Sequence, residues 1–437
     1  MHMRHVIVAG AGLAGLCAAR ELAAAGLAVT IVEARDRPGG RVWTRREGLR
    51  DGQHAELGGE FIDADQKAIR ALARELDVEL VHVLSSGFTQ RFRCEHKGWR
   101  LGRTTPWNEL RKSCRPLLTK YAAAKENPRS AAVREFSTIS VREWLRQHGA
   151  SDSLHSIADA LRGFFLADPD DLSVLPLVEL LAKGGSPAQA EVYRVVGGSD
   201  RLVDALIAVS PAPLLRHVLR RIGHGEGRVI ASVDDERGRL RQIEGDAMVI
   251  AMPASTLRDV EIDPPLPERH SKAIRRLRYG CATKVILQSP NDIFGRRHAR
   301  AFATDTALGA FWDGAQEQSG SHSIVTFLGG GSASRQLRQL AEQGSDAILG
   351  DLCWLRANPG RGPLALAWTT WEDDPWARGG YAYFDPGFDP ADRPFFSRRV
   401  GPLVFAGEHT SEDWQGYMNG AVESGVRAAR QLISDSK

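Results

Sequence analysis

No two of the five cysteines (Cys17, Cys94, Cys114, Cys281, Cys353) stand in a C-x-x-C spacing, and the set is odd in number. Scattered in this way, they build neither a disulfide frame nor a zinc site and read as reduced thiols of a cytoplasmic protein. Long apolar runs are also missing. None approaches the about 18 residues that a spanning helix requires, and the end Ser434-Asp435-Ser436-Lys437 is polar, so no membrane association is expected. A strand-like run starts at His5, leaving no room for the charged, apolar and cleavage regions of a signal peptide. Charge of one sign is scarce as well: a net charge of +3 on 437 residues leaves no electrostatic footprint for nucleic acid. The 13 histidines are dispersed, no Ser-His-Asp set or metal-ligand spacing stands out, and neither repeats nor low-complexity linkers interrupt the chain. The length exceeds what one hydrophobic core usually organises, so two domains are expected.

What is present begins at the N-terminus. His5 to Gly10 (H-V-I-V-A-G) has the β-branched composition of a strand buried on both faces of a parallel sheet. It enters Gly10-Ala11-Gly12-Leu13-Ala14-Gly15, then the Ala/Leu-rich helical stretch Leu16 to Ala25, closed by Gly26. A second strand, Ala28 to Val32, ends at Glu33. Strand, glycine turn, helix, strand and acid within about 30 residues is the pattern of a Rossmann dinucleotide site. Gly10 allows the tight turn, Gly12 the approach of a pyrophosphate, and Gly15 the close packing of helix on strand. The helix N-terminus offers free N–H groups to phosphates, and Glu33 is placed for ribose hydroxyls while opposing a 2′-phosphate.

The following residues, Glu33-Ala34-Arg35-Asp36-Arg37-Pro38-Gly39-Gly40-Arg41, resemble the E-A-x-x-x-x-G-G-R extension of flavoproteins of the amine oxidase and glutathione reductase type. The resemblance implies FAD, with Arg41 neutralising the pyrophosphate through a fork of donors.

From here the chain is similar to the flavin amine oxidase family, which includes monoamine, polyamine and L-amino acid oxidases. Glu56-Leu57-Gly58-Gly59-Glu60-Phe61-Ile62-Asp63 resembles the family loop that passes along the flavin, with Gly58 and Gly59 giving clearance. Arg194 to Leu202 resembles the R-x-x-G-G-x-x-x-L stretch of re-entry into the FAD domain. Leu219 to Ile222 matches the strand whose backbone meets the adenine, and Met248 to Pro253 reads as the last strand before the chain leaves again. Lys284, in Gly280-Cys281-Ala282-Thr283-Lys284-Val285, resembles the lysine that holds a water beside flavin N5, where apolar surroundings would lower its pKa.

The strongest likeness is C-terminal: Leu403-Val404-Phe405-Ala406-Gly407-Glu408-His409-Thr410, then Trp414-Gln415-Gly416-Tyr417-Met418-Asn419-Gly420-Ala421-Val422. It implies a strand ending at Gly407, Glu408 near the ribityl or pyrophosphate portion, and Trp414 and Tyr417 in front of the ring. A helix from about Met418 would aim its N-terminus at the flavin N1–C2=O edge.

Two departures bear on substrate. Gly379-Gly380 is followed by Tyr381 and Ala382, where covalent monoamine oxidases carry cysteine, so the FAD is expected to be non-covalent. Ala382 then replaces one tyrosine of the paired aromatic cage, with Tyr381 beside it. Phe61 stands where L-amino acid oxidases place a carboxylate-binding Arg, and Glu60 and Asp63 are candidates to attract a cationic amine.

The resemblance therefore implies an α/β architecture: a Rossmann-type FAD-binding domain (residues 1–85, 194–280 and 396–437) interleaved with an α+β substrate-binding domain (86–193 and 281–395). Helices are expected at Val141 to Gln147 and Leu175 to Leu181, and strands at Lys284 to Gln288, Ser323 to Leu328 and Leu364 to Trp371. The cluster Arg91, Arg93, Arg100, Arg103, Arg111, Arg115 reads as a solvated face. The implied reaction is hydride transfer from the carbon α to an amine nitrogen to flavin N5. It gives an imine that hydrolyses, with O2 or another acceptor reoxidising the flavin and H2O2 formed in the first case. Expected partners are a small-molecule amine and the electron acceptor, and a homodimer is allowed. The alternative is a desaturase acting on an apolar polycyclic or isoprenoid substrate.

Overall fold

The computed structural model describes residues 3–94, 98–102, 105–124, 127, 130–182, 191–225, 227–295, 298–355 and 365–434. Strand β1 (His5–Ala9) has Val6, Ile7 and Val8 fully buried, as its composition predicts. It lies between β2 (Ala28–Val32) and the strand Ala247–Ile250, which in turn pairs with Leu403–Phe405; all three pairings are parallel. One sheet thus gathers the start, middle and end of the chain. Helix α1 (Leu13–Ala24) covers one face with small side chains and packs against the helix Met418–Ile433. The two run in backbone contact, since a Cβ on Gly425 would stand 2.2 Å from the Ala14 carbonyl oxygen. On the other face lies an antiparallel meander of Val218–Gly225, Arg228–Asp234 and Leu240–Gly245, with Glu261–Asp263 alongside.

A second body is built from described residues of 89–182 and 282–370. A seven-stranded sheet runs in the order Ala365–Thr370, Ala282–Ser289, Ser323–Gly330, Ala310–Asp313, Ala301–Thr304, Thr89–Cys94, Gly98–Gly102. A helical layer from Thr105 to Ala182 has its own core around Phe136, Trp144, Leu175 and Val178. Ser130, Ser140 and Ser151 start three of its helices by accepting the N–H of the residue three ahead, the usual role of serine at that position. The helices Val141–Gln147 and Val174–Ala182 lie where periodicity places them.

Some boundaries differ from the sequence reading. Helix α1 starts at Leu13 rather than Leu16, because Gly12 is already its N-cap and the glycine turn forms its first turn. The strand at Met248 ends at Ile250, and Pro253, which has no N–H to give a ladder, instead opens the short helix Ala254–Leu257. The strand at Leu403 ends at Phe405; Ala406 still donates to Ile250, after which Gly407 at φ +121° turns the chain. Of the arginine cluster, Arg91 is half-buried, with its guanidinium 4.8 Å from the centre of the Trp354 ring; Arg103 and the side chains of Arg93 and Arg100 fall outside the described residues. Among the described residues, no helix is long and apolar enough to cross a membrane.

Candidate active site

A cavity of about 1390 Å3 runs between the two bodies. Of the residues singled out from sequence, Gly10, Gly12, Leu13, Ala14, Glu33, Ala34 and Arg35 line one part of it. Gly40, Arg41, Gly58, Gly59, Glu60, Gly407, Glu408 and Lys284 line the middle, and Phe61, Asp63, Tyr381, Trp414, Gly416, Tyr417 and Met418 the rest, with Leu219 also on the wall. Gly15 alone does not face it. A Cβ there would lie 1.8 Å from the Gly10 carbonyl oxygen, so Gly15 serves the contact of turn with helix.

The nucleotide end is held by backbone. Glu33 is buried, with one carboxyl oxygen accepting from Ala11 N (2.7 Å) and the other from Arg35 N (2.9 Å). Burial raises its pKa above the ordinary carboxylate value, against these bonds. The Arg35 guanidinium is committed to Asp374 through two bonds of 2.6 and 2.7 Å. Arg37, which sequence reasoning passed over, braces the glycine turn by donating to the carbonyls of Pro38, Gly40 and Val42.

Three observations fit this cavity to a dinucleotide. A Cβ on Gly12 would meet nothing within 4 Å, so the glycine leaves space on the cavity side that no protein atom fills. Both helices that enter, α1 and Met418–Ile433, lack a side-chain cap and any acid in their first turn, so their N-terminal N–H groups remain on offer. Arg41 stands on the wall, bonded to the Gly380 carbonyl and to Glu408 at 3.0 Å. Glu408 also accepts from Gly416 N at 2.7 Å, and so ties Arg41 to the C-terminal motif. No cysteine is among the residues lining the cavity.

The middle is built from side chains. Lys284, on the strand Ala282–Ser289, is buried, and its ammonium donates to Glu56 O (3.0 Å), Gly58 O (2.9 Å) and a Glu60 carboxyl oxygen (2.7 Å). An ammonium has three N–H donors, and all three are taken by protein. The apolar surroundings expected for Lys284 are therefore replaced by a cage of acceptors. The second Glu60 oxygen accepts from Trp312 Nε1 (2.7 Å) and forms an ion pair with Arg194 at 2.9 Å, and Arg194 donates to Glu317 (2.8 Å). Burial pushes the Glu60 carboxyl up, but Lys284 and then Arg194 outweigh it and hold it below the ordinary value. Glu56, four residues earlier and held by Thr44 and Ser199 N, has no cation in its carboxyl contacts, and burial pushes it up to about 8. Two buried carboxyls of one loop are thus driven apart in protonation. The missing side chains of Gly58 and Gly59 face Arg41 O (2.0 Å) and Met418 (2.9 Å), so their clearance is for neighbouring protein.

The remaining walls are aromatic. Trp414 and Tyr417 meet edge to face at 5.4 Å, and Phe61 packs on Trp312 at 5.1 Å and on Phe88. Tyr381 lies against Gly416 and donates to Phe164 O at 2.5 Å, while Ala382 packs into the apolar core under the Rossmann sheet. Asp63 accepts from Gln66 (3.0 Å), and burial, with Asp65 adding, raises its pKa to about 6. Trp312, Asp65, Phe88 and Phe164 also line the cavity without having been singled out. They belong to no motif: Trp312 stands on a sheet strand, Phe164 on a short helix, and Asp65 and Phe88 in loops.

The family model of flavin-containing amine oxidoreductases matches residues 13–433. AofH of Mycobacterium tuberculosis is 28% identical, with 98% of this chain and 96% of that protein aligned. Flavin-containing amine oxidase B of Cavia porcellus is 25% identical over 98% of this chain and 86% of its own length. Among solved structures, cyclohexylamine oxidase from Brevibacterium oxydans superposes with a TM-score of 0.85 at 24% identity, covering 100% of this chain and 99% of its own. Putrescine oxidase bound to putrescine gives 0.85 at 22%, covering 99% of both chains. These two share the fold. A match over nearly the whole sequence places the chain in the flavin-containing amine oxidoreductase family, as an FAD-dependent amine oxidase.

Proposed function

We propose that the protein oxidises a small cationic amine at the carbon α to its nitrogen, in the space bounded by Phe61, Tyr381, Trp414 and Tyr417. The observation that carries this reading is a single cavity in which a dinucleotide cradle passes into an aromatic-walled chamber bearing Asp63. FAD, when bound, supplies the acceptor for two electrons from the substrate C–H bond and passes them to oxygen or another acceptor.

The chain supplies the rest. The Gly10–Ala14 turn and the α1 N-terminus would hold the pyrophosphate together with Arg41, Glu33 the ribose and the backbone at Leu219 the adenine. The Gly58–Glu60 loop, Lys284 and the Trp414–Met418 segment would flank the ring, with Gly407 and Glu408 beside it. The uncapped helix at Met418 places positive potential where negative charge would grow. Asp63, ionised above about pH 6, draws the ammonium inward, and the aromatic walls exclude water and orient the α-carbon. The carboxylate of Glu60 is fully engaged and takes no part in substrate binding. The division into an FAD-binding part (1–85, 194–280, 396–437) and a substrate-binding part (86–193, 281–395) accords with a Rossmann sheet drawn from three stretches of chain.

The test is anaerobic mixing of the FAD-bound protein with a panel of amines, following loss of flavin absorbance, and then admission of air. Bleaching by one or more amines and recovery in air are expected. Bleaching by a polycyclic or isoprenoid substrate alone would replace the proposal with the desaturase reading.

A further inference from the structure

Lys284, Glu60, Arg194 and Glu317 form a chain of alternating charge, linked at 2.7, 2.9 and 2.8 Å, with every side chain 5% exposed or less. Only the first two reach the cavity wall. Breaking such a buried series by removing one member leaves an uncompensated charge, so the four act as a unit. Lys284 has no donor left over, and its ammonium is turned to the carbonyls of the 56–60 loop and to Glu60. A cation on a cavity wall favours electron uptake by whatever acceptor the cavity holds, and a carboxylate 2.7 Å from that cation opposes it.

We propose that Glu60 is a positioning residue that sets the electron affinity of the bound cofactor, by fixing Lys284 against the 56–60 loop and cancelling its charge at the cavity wall. Arg194 and Glu317 keep that carboxylate in place and ionised. The inference rests on the reading above that Lys284 and the 56–60 loop flank the flavin ring.

The experiment is a redox titration of the FAD-bound protein against a reference dye, without substrate, for the parent, Lys284→Met, Glu60→Gln and the double variant. Lys284→Met should shift the reduced-to-oxidised ratio at a fixed poise about tenfold towards oxidised, about 30 mV for a two-electron couple. Glu60→Gln should shift it about tenfold the other way, and the double variant should return close to the parent. An unchanged ratio in Lys284→Met would show that the lysine does not adjoin the ring, and the underlying reading would fall. A shift in Lys284→Met with none, or one of the same sign, in Glu60→Gln would overturn the role of Glu60 alone. Should Glu60→Gln lose FAD, the double variant is compared with Lys284→Met: a more reduced ratio in the double supports the proposal, and an equal one ends it. A purely structural Glu60 would lower FAD content and melting temperature without giving shifts of opposite sign.

Discussion

Two buried glutamates mark the two ways in which this cavity is made. Glu33, at the nucleotide end, is satisfied by backbone N–H groups 22 residues before it and two after it. Glu60, in the middle, is satisfied by side chains 224 and 252 residues away and by Arg194. The first is left above its ordinary pKa by burial, and the second is held below it by two cations. A site made of backbone needs only room and a turn, and tolerates most side chains around it. A site made of paired side chains depends on each member, because a buried charge stripped of its partner is costly. The nucleotide end should therefore fail through sterics and the middle through charge.

The largest effect expected is at Gly15. With a Cβ 1.8 Å from the Gly10 carbonyl oxygen, Gly15→Val requires the strand, turn and helix to separate. Destabilisation beyond about 4 kcal/mol and loss of FAD are expected, read from flavin absorbance of the purified protein and from its melting curve. Next is Arg194→Met, which keeps much of the stem but leaves Glu60 and Glu317 as buried carboxylates without it. A loss of about 3–5 kcal/mol in urea unfolding of the FAD-bound protein is expected. If Arg194→Met costs less than 1 kcal/mol, the contrast between a backbone-built and a charge-built end does not hold.

This difference also decides what could be read from sequence. The Rossmann end was legible because its information is local: β1, the glycine turn, α1, β2 and Glu33 follow one another, and each geometry has its own residue type. Element ends were less so, since Gly12 of the glycine turn already caps α1, and Pro253 caps the helix Ala254–Leu257 instead of ending a strand. At the middle, Lys284 and Glu60 were each recognised from their own motifs, but as separate residues with separate tasks. Nothing in either motif says that the two meet, because their contact is made by tertiary packing between residues 224 apart in the chain. Trp312 and Asp65 had no local signal at all: one is a tryptophan on a core strand, the other an exposed loop acid.

The comparison can be sharpened at Gly12, where an added methyl meets no protein atom within 4 Å and φ is an ordinary −74°. Gly12→Ala should leave the melting temperature of the FAD-free protein unchanged and weaken FAD binding about tenfold, roughly 1.4 kcal/mol. Unchanged FAD affinity would mean that the open space there is not cofactor space, and would remove the best evidence that the nucleotide end is shaped for its ligand instead of for itself.

The smallest effect expected is at Asp63, and it separates binding from stability by sign. Its carboxyl is raised from 3.8 to about 6, by burial first and Asp65 second, so its folded pKa lies above its unfolded one. A carboxyl shifted upward binds its proton more tightly in the folded chain, and stability falls as pH rises from about 4 to about 6. Asp63→Asn should therefore raise the melting temperature at pH 8, with the gain shrinking below pH 6 and gone below about 4. Binding should move the other way. A quaternary ammonium ion, which keeps its charge at every pH and has no nitrogen lone pair to present for oxidation, serves as the probe, read by perturbation of the flavin spectrum. Its affinity for the parent should fall about fivefold, roughly 1 kcal/mol, as pH drops from 8 to 5, and Asp63→Asn should hold the weaker value throughout. A gain in stability with no change in affinity would make Asp63 a strained loop acid and remove it from the substrate chamber. A gain in stability accompanied by weaker binding would show a charge kept at a thermodynamic cost because the cavity uses it.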